Sequence, residues 1–154
     1  MAELTPGDDA PQFSLPADGG TVRLTELRGK IVVLFFYPQD NTETCTAEAI
    51  AFSKFHDDFK KAGAVVIGIS PDSLKRHANF RKKHALTTPL AADESREAIE
   101  AYGVWGEKTM FGRKYMGVLR STFLIDREGR IARIWRKVRV PGHAEEVLKA
   151  AKAL

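Results

Sequence analysis

Two runs of apolar residues, IVVLFFY at residues 31–37 and AVVIGIS at residues 64–70, limit what this chain can fold into more than any other feature. Both are rich in β-branched or aromatic side chains and lack polar alternation, which is typical of strands buried on both faces. Between them the pattern changes to a helical period that ends at Gly63, where a helix C-cap glycine belongs. The apolar positions of this predicted helix are Ala47, Ala51, Phe52, Phe55, Phe59 and Ala62.

Shorter elements are predicted around these strands. They are two extended pieces at residues 12–15 and 21–24 joined at Gly19-Gly20, a helix starting near Asp72, a helix at residues 95–102, two strands joined at Glu128-Gly129, and a helix over residues 143–154. Strands that alternate with helices indicate an α/β fold with a mixed central sheet flanked by helices. No repeat or linker divides the chain, so we expect residues 1–154 to form one domain.

Composition favours a soluble protein of the cytoplasm. The net charge of +4 comes from 24 basic and 20 acidic residues, a mild excess that we interpret as surface charge. The first 30 residues lack a long apolar core, and the longest apolar run has seven residues, so we expect neither a signal peptide nor a membrane span. Two basic clusters are expected to face solvent and to bind no specific nucleic acid: Lys75, Arg76, Arg81, Lys82 and Lys83, then Arg130, Arg133, Arg136, Lys137 and Arg139.

Cys45 is the only cysteine, and it stands where the first apolar run gives way to the helical pattern. A lone cysteine excludes an internal disulfide and fits a reducing compartment. The first turn of a helix favours an anion, whereas an ordinary thiol is only a few per cent thiolate at pH 7. Pro38 ends the strand, and the hydroxyl of Thr42 falls within reach of the sulfur or of its substrate. By position alone, a structural cysteine is an equal alternative.

The segment FYPQDNTETCTAEA around Cys45 resembles the active-site segment of the peroxiredoxins, thiol peroxidases on a thioredoxin-like fold. Residues 101–126, AYGVWGEKTMFGRKYMGVLRSTFLID, are similar to the matching segment of the bacterioferritin-comigratory or Q-type branch. GDDAPQFSLPADGGTVRL near the start is similar to that branch's opening. Three separated motifs in the right order extend the resemblance over nearly the whole chain.

The resemblance implies a role for four residues. Cys45 corresponds to the peroxidatic cysteine, Thr42 to the hydroxyl that binds the peroxide, and Pro38 to the residue that shields the sulfur. Arg120 corresponds to the arginine that stabilises thiolate and transition state, which the residues alone would have left as a strand-edge surface group. The expected substrates are hydrogen peroxide and organic hydroperoxides. No metal, flavin or nicotinamide cofactor is implied, and no Walker or dinucleotide glycine motif is present.

The chain departs from the branch at three places. Glu43-Thr44 replaces the common Pro-Gly pair, Ile50 occupies the position of a resolving cysteine, and FRKKHAL at residues 80–86 lacks the alternative one. We therefore expect Cys45 to form a sulfenic acid that an external thiol reduces, whether thioredoxin, glutaredoxin, a small thiol or another subunit. The first helix is expected to stay folded during the cycle with Ile50 contributing apolar packing, in a monomer or weak dimer.

Several other side chains receive weaker interpretations. Thr44 is the expected N-cap of the first helix, and Glu48 is a solvated or capping residue as readily as a catalytic one. Trp105 and Trp135 are expected to pack, and the four histidines to face solvent: His56, His77, His84 and His143. Two rival functions remain, a peroxide-sensing or thiol-switch binding protein and a thiol hydrolase, although the latter lacks a partner motif.

Overall fold

The computed structural model describes residues 3–154 of the chain. Its strands are β1 (Ser14–Ala17), β2 (Gly20–Arg23), β3 (Ile31–Phe36), β4 (Ala64–Ser70), β5 (Leu90–Ala92), β6 (Trp105–Met110), β7 (Arg113–Val118), β8 (Ser121–Ile125) and β9 (Ile131–Trp135). Its helices are α1 (Glu43–Lys54), α2 (His56–Lys61), α3 (Leu74–His84), α4 (Glu97–Ala101) and α5 (His143–Lys152). None of the helices among these residues is long and apolar enough to cross a membrane.

Seven strands form one sheet in the order β2-β1-β5-β4-β3-β8-β9. Strand β3 pairs in parallel with β4 and antiparallel with β8, so the predicted mixed sheet is confirmed. All six residues of β3 are buried, because apolar clusters cover both faces of the sheet. This double burial explains why the sequence of β3 shows no polar alternation.

The predicted elements are present, but two regions differ from the sequence pattern. The first predicted helix is two helices, since Phe55 breaks the helical geometry with φ −98° and ψ 15°. Strands β6 and β7 form a separate two-stranded hairpin that was not predicted. Most of the hairpin's side chains are exposed, so neither strand has the apolar alternation that reveals a half-buried strand.

Gly68 of β4 allows close packing beneath the first helix. A Cβ at this position would lie 2.6 Å from the Cζ atom of Phe35 and 2.8 Å from a methyl carbon of Leu90, closer than van der Waals contact permits. The Phe35 ring therefore lies across the backbone of β4. It stacks on Phe52 of α1 with ring centroids 4.7 Å apart and on Tyr37 at 5.6 Å.

Candidate active site

The edge where β3 ends and β8 begins brings two distant segments together. Phe36, the last residue of β3, is the register partner of Ser121, the first residue of β8. Neighbouring strands lie about 4.8 Å apart. The chain that leaves β3 towards Cys45 therefore starts beside Arg120, the residue that directly precedes β8.

Helix α1 buries one face, and Cys45 begins it. The buried residues are Cys45, Glu48, Ala49 and Phe52, whose spacing of three, four and seven positions forms one stripe of an α-helix. Cys45 is the third residue of α1 and is 1% exposed. The N-cap is Thr42 and not Thr44 as predicted, so the helix begins two residues before the cysteine.

Arg120 contacts both Cys45 and Glu48 through the two ends of its guanidinium. Its Nη2 donates to Cys45 Sγ at 3.1 Å, and its Nη1 donates to Glu48 Oε1 at 2.7 Å. Cys45 and Glu48 are one helical turn apart, which is the separation that a planar guanidinium can bridge. We call these three residues the Arg120 cluster.

Glu48, which the sequence left open between a solvated, a capping and a catalytic residue, belongs to the Arg120 cluster. It is buried, so the solvated alternative is wrong, because its place on the α1 stripe points it inward. Its second carboxylate oxygen, Oε2, is buried without a hydrogen-bond partner. The signal available in the sequence was its three-residue spacing from Cys45. A vacant acceptor on the carboxylate that contacts Arg120 can receive a hydrogen bond from a bound molecule.

Burial and charge act against each other in the Arg120 cluster. Burial raises the pKa of Glu48 to about 7, because the loss of water disfavours the carboxylate more than Arg120 favours it. Burial alone would lower the pKa of Arg120, but the attraction of Glu48 and Cys45 outweighs it and raises that pKa above its ordinary value. Arg120 therefore keeps its charge at the sulfur.

The two other predicted site residues lie in the segment between β3 and α1. Thr42 is exposed, directly before α1, and its hydroxyl donates to the carbonyl oxygen of Gln39 at 3.3 Å. Pro38 is half-buried two residues beyond the end of β3. Since proline has no N–H, the strand ladder ends there and the chain leaves the sheet. Both residues belong to the connection that carries Cys45.

This connection is fixed by a second buried cluster, centred on Asp40. Asp40 Oδ1 accepts from the Tyr37 hydroxyl at 2.6 Å, and Asp40 Oδ2 lies 2.7 Å from His77 Nδ1. The backbone N–H of Asp40 donates to Asp72 Oδ2 at 2.7 Å, which also accepts from the Ser70 hydroxyl at 2.7 Å. We call these five residues the Asp40 network.

His77 contradicts the expectation of solvent-facing histidines, because it is fully buried in the Asp40 network. Its Nε2 faces the carbonyl oxygen of Ala91 at 3.1 Å and must donate to it, while a proton shared along the Nδ1–Oδ2 line joins it to Asp40. Hydrogen-bond partners at both ring nitrogens make the burial of His77 tolerable. Asp40, Asp72 and His77 are potential metal ligands within 4.8 Å of one another, but these hydrogen bonds already account for their arrangement.

The structure confirms some of the other burial predictions and contradicts the rest. His143 is also buried, where its Nε2 lies 2.8 Å from the Thr122 hydroxyl, and burial lowers its pKa to about 4. His56 is exposed and His84 half-buried. Ile50 is 45% exposed, so it contributes only part of the apolar packing that was expected. Several members of the basic clusters pair with carboxylates, as in Arg76–Asp72, Arg81–Asp18, Arg133–Glu146 and Arg136–Glu3.

Comparison with known proteins gives a consistent family. The model of the AhpC/TSA family matches residues 6–134. Peroxiredoxin Bcp of Bacillus subtilis is 47% identical over 147 residues, which cover 95% of this chain and 94% of the relative. Peroxiredoxin Bcp of Escherichia coli is 40% identical over 153 residues, with 99% and 98% of the two chains covered.

Solved structures agree with these relatives. Peroxiredoxin Q of Xanthomonas campestris superposes with a TM-score of 0.87 at 42% identity, covering 92% of this chain and 90% of the other. A cysteine-to-serine mutant of Xylella fastidiosa PrxQ gives a TM-score of 0.93 at 37% identity, covering 99% and 98%. The expected thioredoxin-like peroxiredoxin fold is thereby confirmed. With one cysteine in its whole sequence, the chain belongs to the AhpC/TSA family as a peroxiredoxin of the bacterioferritin-comigratory, Q-type branch that lacks a resolving cysteine.

Proposed function

We propose that Cys45 is the peroxidatic nucleophile with which this thiol-dependent peroxidase reduces hydrogen peroxide and organic hydroperoxides. The observation that carries the proposal is the hydrogen bond of 3.1 Å from Arg120 Nη2 to Cys45 Sγ in the first turn of α1. A charged donor and a helix N-terminus both favour the thiolate, which is the reactive form of cysteine. The Xanthomonas campestris bacterioferritin comigratory protein, 41% identical, has alkyl peroxide reduction activity.

The reaction transfers one oxygen atom to the sulfur. The Cys45 thiolate attacks the terminal oxygen of the hydroperoxide, the O–O bond breaks, and Cys45 becomes a sulfenic acid. The departing oxygen carries the negative charge until it takes up a proton and leaves as water or an alcohol. Arg120 lies where this charge develops, because one end of its guanidinium already contacts the sulfur. Fixed donors at the developing charge lower the barrier.

The remaining members of the site position the peroxide. The vacant Oε2 of Glu48 accepts a hydrogen bond from the peroxide O–H, and Oε1 holds Arg120 in place. The Thr42 hydroxyl turns from the Gln39 carbonyl to the bound peroxide, which lies between it and the sulfur. Pro38 shields the sulfur from water on the strand side.

Regeneration requires a thiol from outside the chain, since Cys45 is its only cysteine. The incoming thiol attacks the sulfenic sulfur, releases water and forms a mixed disulfide. A second thiol then releases Cys45 and leaves the reductant as a disulfide. Thioredoxin, glutaredoxin and small thiols meet this requirement, and all belong to a reducing compartment such as the cytoplasm. We propose a monomer or weak dimer with no specific nucleic acid partner.

Peroxide consumption with several reductants tests the function. Wild-type protein should consume many equivalents of peroxide per Cys45 when a thiol is supplied, whereas a sensor or thiol switch consumes about one. Without reductant, one equivalent of peroxide should yield one dimedone adduct at Cys45 by mass spectrometry, and prolonged excess should drive the sulfur to sulfinic acid. Quantitative conversion to a disulfide-linked dimer would instead assign regeneration to a second subunit.

A further inference from the structure

The β6–β7 hairpin exposes apolar side chains that do not stabilise the fold. Phe111 at its tip is 97% exposed, Met110 is 56% exposed and Met116 is 54% exposed. Tyr115 is also exposed. Four of the seven large hydrophobic residues exposed among residues 3–154 therefore lie on this one hairpin. Such clusters mark interaction surfaces.

The turn at the tip carries a conformational cost as well. Phe111 and Gly112 join Met110 to its register partner Arg113, and they adopt φ values of 52° and 77°. A two-residue turn with two positive φ values favours asparagine or glycine, and an aromatic residue at the first position is strained. An aromatic side chain that is both strained and exposed contributes nothing to folding here. A role in binding accounts for its presence.

The base of the hairpin adjoins the candidate active site. Strand β7 ends at Val118, two residues before Arg120. Lys108 Nζ donates to the Val118 carbonyl at 3.1 Å, which ties β6 to the segment that leads to Arg120. Burial, and then the charge of Arg120, lower the pKa of Lys108. Strands of six residues extend about 20 Å. A protein of standard interface size covers a patch roughly 30 Å across, so one partner contacts both the tip and the site.

From this surface, which we call the hairpin face (residues 105–118), we propose that the reductant is a dithiol protein docking on the hairpin with an apolar centre and an acidic rim. The inference rests on the proposed function, because only a sulfenic acid at Cys45 needs such a partner. Lys108, Arg113 and Lys114 outnumber the single acidic residue Glu107, which Lys114 contacts at 3.6 Å. This excess of positive charge matches an acidic partner and opposes a second copy of this chain.

Docking also addresses the burial of the sulfur. Cys45 is 1% exposed, so a small thiol that is free in solution reaches its sulfur only in rare encounters. A docked protein keeps its thiol beside the site at an effective concentration in the millimolar range. The first thiol forms the mixed disulfide and releases water. The second then attacks the partner's own sulfur, which restores the Cys45 thiol.

The test compares two reductants on one variant. Phe111→Asn removes the aromatic ring and supplies a residue that the turn favours, so the hairpin is retained. With bacterial thioredoxin or glutaredoxin, each with its recycling system, we expect kcat/KM for the protein reductant to fall about tenfold. With dithiothreitol, turnover should be unchanged, as should the rate of sulfenic acid formation. Leu154→Ser removes another exposed apolar side chain and should leave all three values unchanged.

Different results overturn different statements. If the wild type forms no sulfenic acid with peroxide, the proposed function fails together with the docking that rests on it. If sulfenic acid forms but neither redoxin supports turnover, or Phe111→Asn leaves both redoxin reactions unchanged, only the docking proposal fails. If Phe111→Asn lowers turnover equally with dithiothreitol and with redoxin, Phe111 supports the structure of the active site and does not bind the reductant. Loss of a dimer, or of binding to phosphatidylglycerol vesicles, with unchanged redoxin kinetics would give the hairpin face another occupant.

Discussion

The Arg120 cluster and the Asp40 network are both buried and charged, and they lie at opposite ends of the connection that carries Cys45. In the Asp40 network every buried side-chain oxygen and nitrogen has a hydrogen-bond partner, down to both ring nitrogens of His77. In the Arg120 cluster, Glu48 Oε2 has none. A complete network holds a backbone in one conformation, whereas an unpaired acceptor is available to a bound molecule. The proposed function accordingly assigns the chemistry to the Arg120 cluster and a supporting role to the Asp40 network.

Cys45→Ser should have the largest effect on activity and almost none on stability. A serine hydroxyl is scarcely ionised at neutral pH, so peroxidase activity should fall more than about 10⁴-fold. The free energy of unfolding should change by less than about 1 kcal/mol, since the side chain keeps nearly the same size. Peroxide consumption and urea unfolding measure the two effects. Substantial peroxidase activity in this variant would contradict the mechanism.

His77→Leu should produce the opposite outcome. It leaves the Asp40 carboxyl buried without its main partner, which should cost about 3–5 kcal/mol of unfolding free energy and lower Tm by about 10 °C. Well below that Tm, the peroxide rate constant should stay within about tenfold of the wild type. His84→Leu on the same helix is the matched control, because its half-buried ring lies 3.2 Å from the Asn41 side chain and edge-on to Phe80, outside the Asp40 network. A His77→Leu variant that is stable but inactive would show that the Asp40 network takes part in the reaction.

Arg120→Lys tests whether shape matters as well as charge in the Arg120 cluster. Lysine keeps the positive charge but cannot contact Cys45 and Glu48 through two ends of one planar group. The second-order rate constant with peroxide should fall by about 10²- to 10³-fold. Stopped-flow measurement under single-turnover conditions isolates this step from regeneration. An unchanged rate constant would show that Arg120 does not stabilise the transition state.

Thr42→Val removes a hydroxyl at nearly constant size and should slow the peroxide step by about tenfold, because one neutral hydrogen bond to the substrate is lost. Thr44→Val, two residues further on and also exposed, is the control and should react at the wild-type rate. The two variants should unfold at similar urea concentrations. Equal rates for both variants would show that the Thr42 hydroxyl does not reach the substrate.

The smallest effect concerns the titration of Glu48. Because burial raises its pKa from 4.5 to about 7, the folded protein binds this proton more tightly than the unfolded chain does. The resulting stabilisation is complete below pH 4.5 and disappears as pH rises through about 7, so Glu48→Gln should show a flatter stability profile in this range. Above pH 7 the carboxylate holds Arg120 more firmly. The peroxide rate constant should therefore rise a few-fold near pH 7 in the wild type only.

The sequence predicted the sheet better than the chemistry. Strands β3 and β4 are apolar throughout, so their burial is encoded locally in consecutive residues. The contact between Cys45 and Arg120 joins residues 75 positions apart. A local sequence pattern does not predict such a contact. It was anticipated only through the family resemblance.

The errors have physical causes. Glu48 and His77 are polar types that usually face water, and only their hydrogen-bond partners, supplied by other segments, make burial possible. Ile50 is the reverse case. It is apolar but lies off the buried stripe of α1, so the helix turns it to solvent. Composition predicts average burial, whereas position on an element decides the individual residue.

Gly68 links the sheet to the reactive helix in a way that bears on how such chains diverge. Its missing side chain is the space into which the Phe35 ring fits, and that ring in turn contacts Phe52 of α1, seven residues after Cys45. A change to alanine in an ancestor would be acceptable for a strand but would displace the ring and, with it, the helix that presents the nucleophile. Because the same Cβ would lie 2.8 Å from Leu90, substitution at Gly68 is open only to lineages in which the side chains at Phe35 and Leu90 change as well.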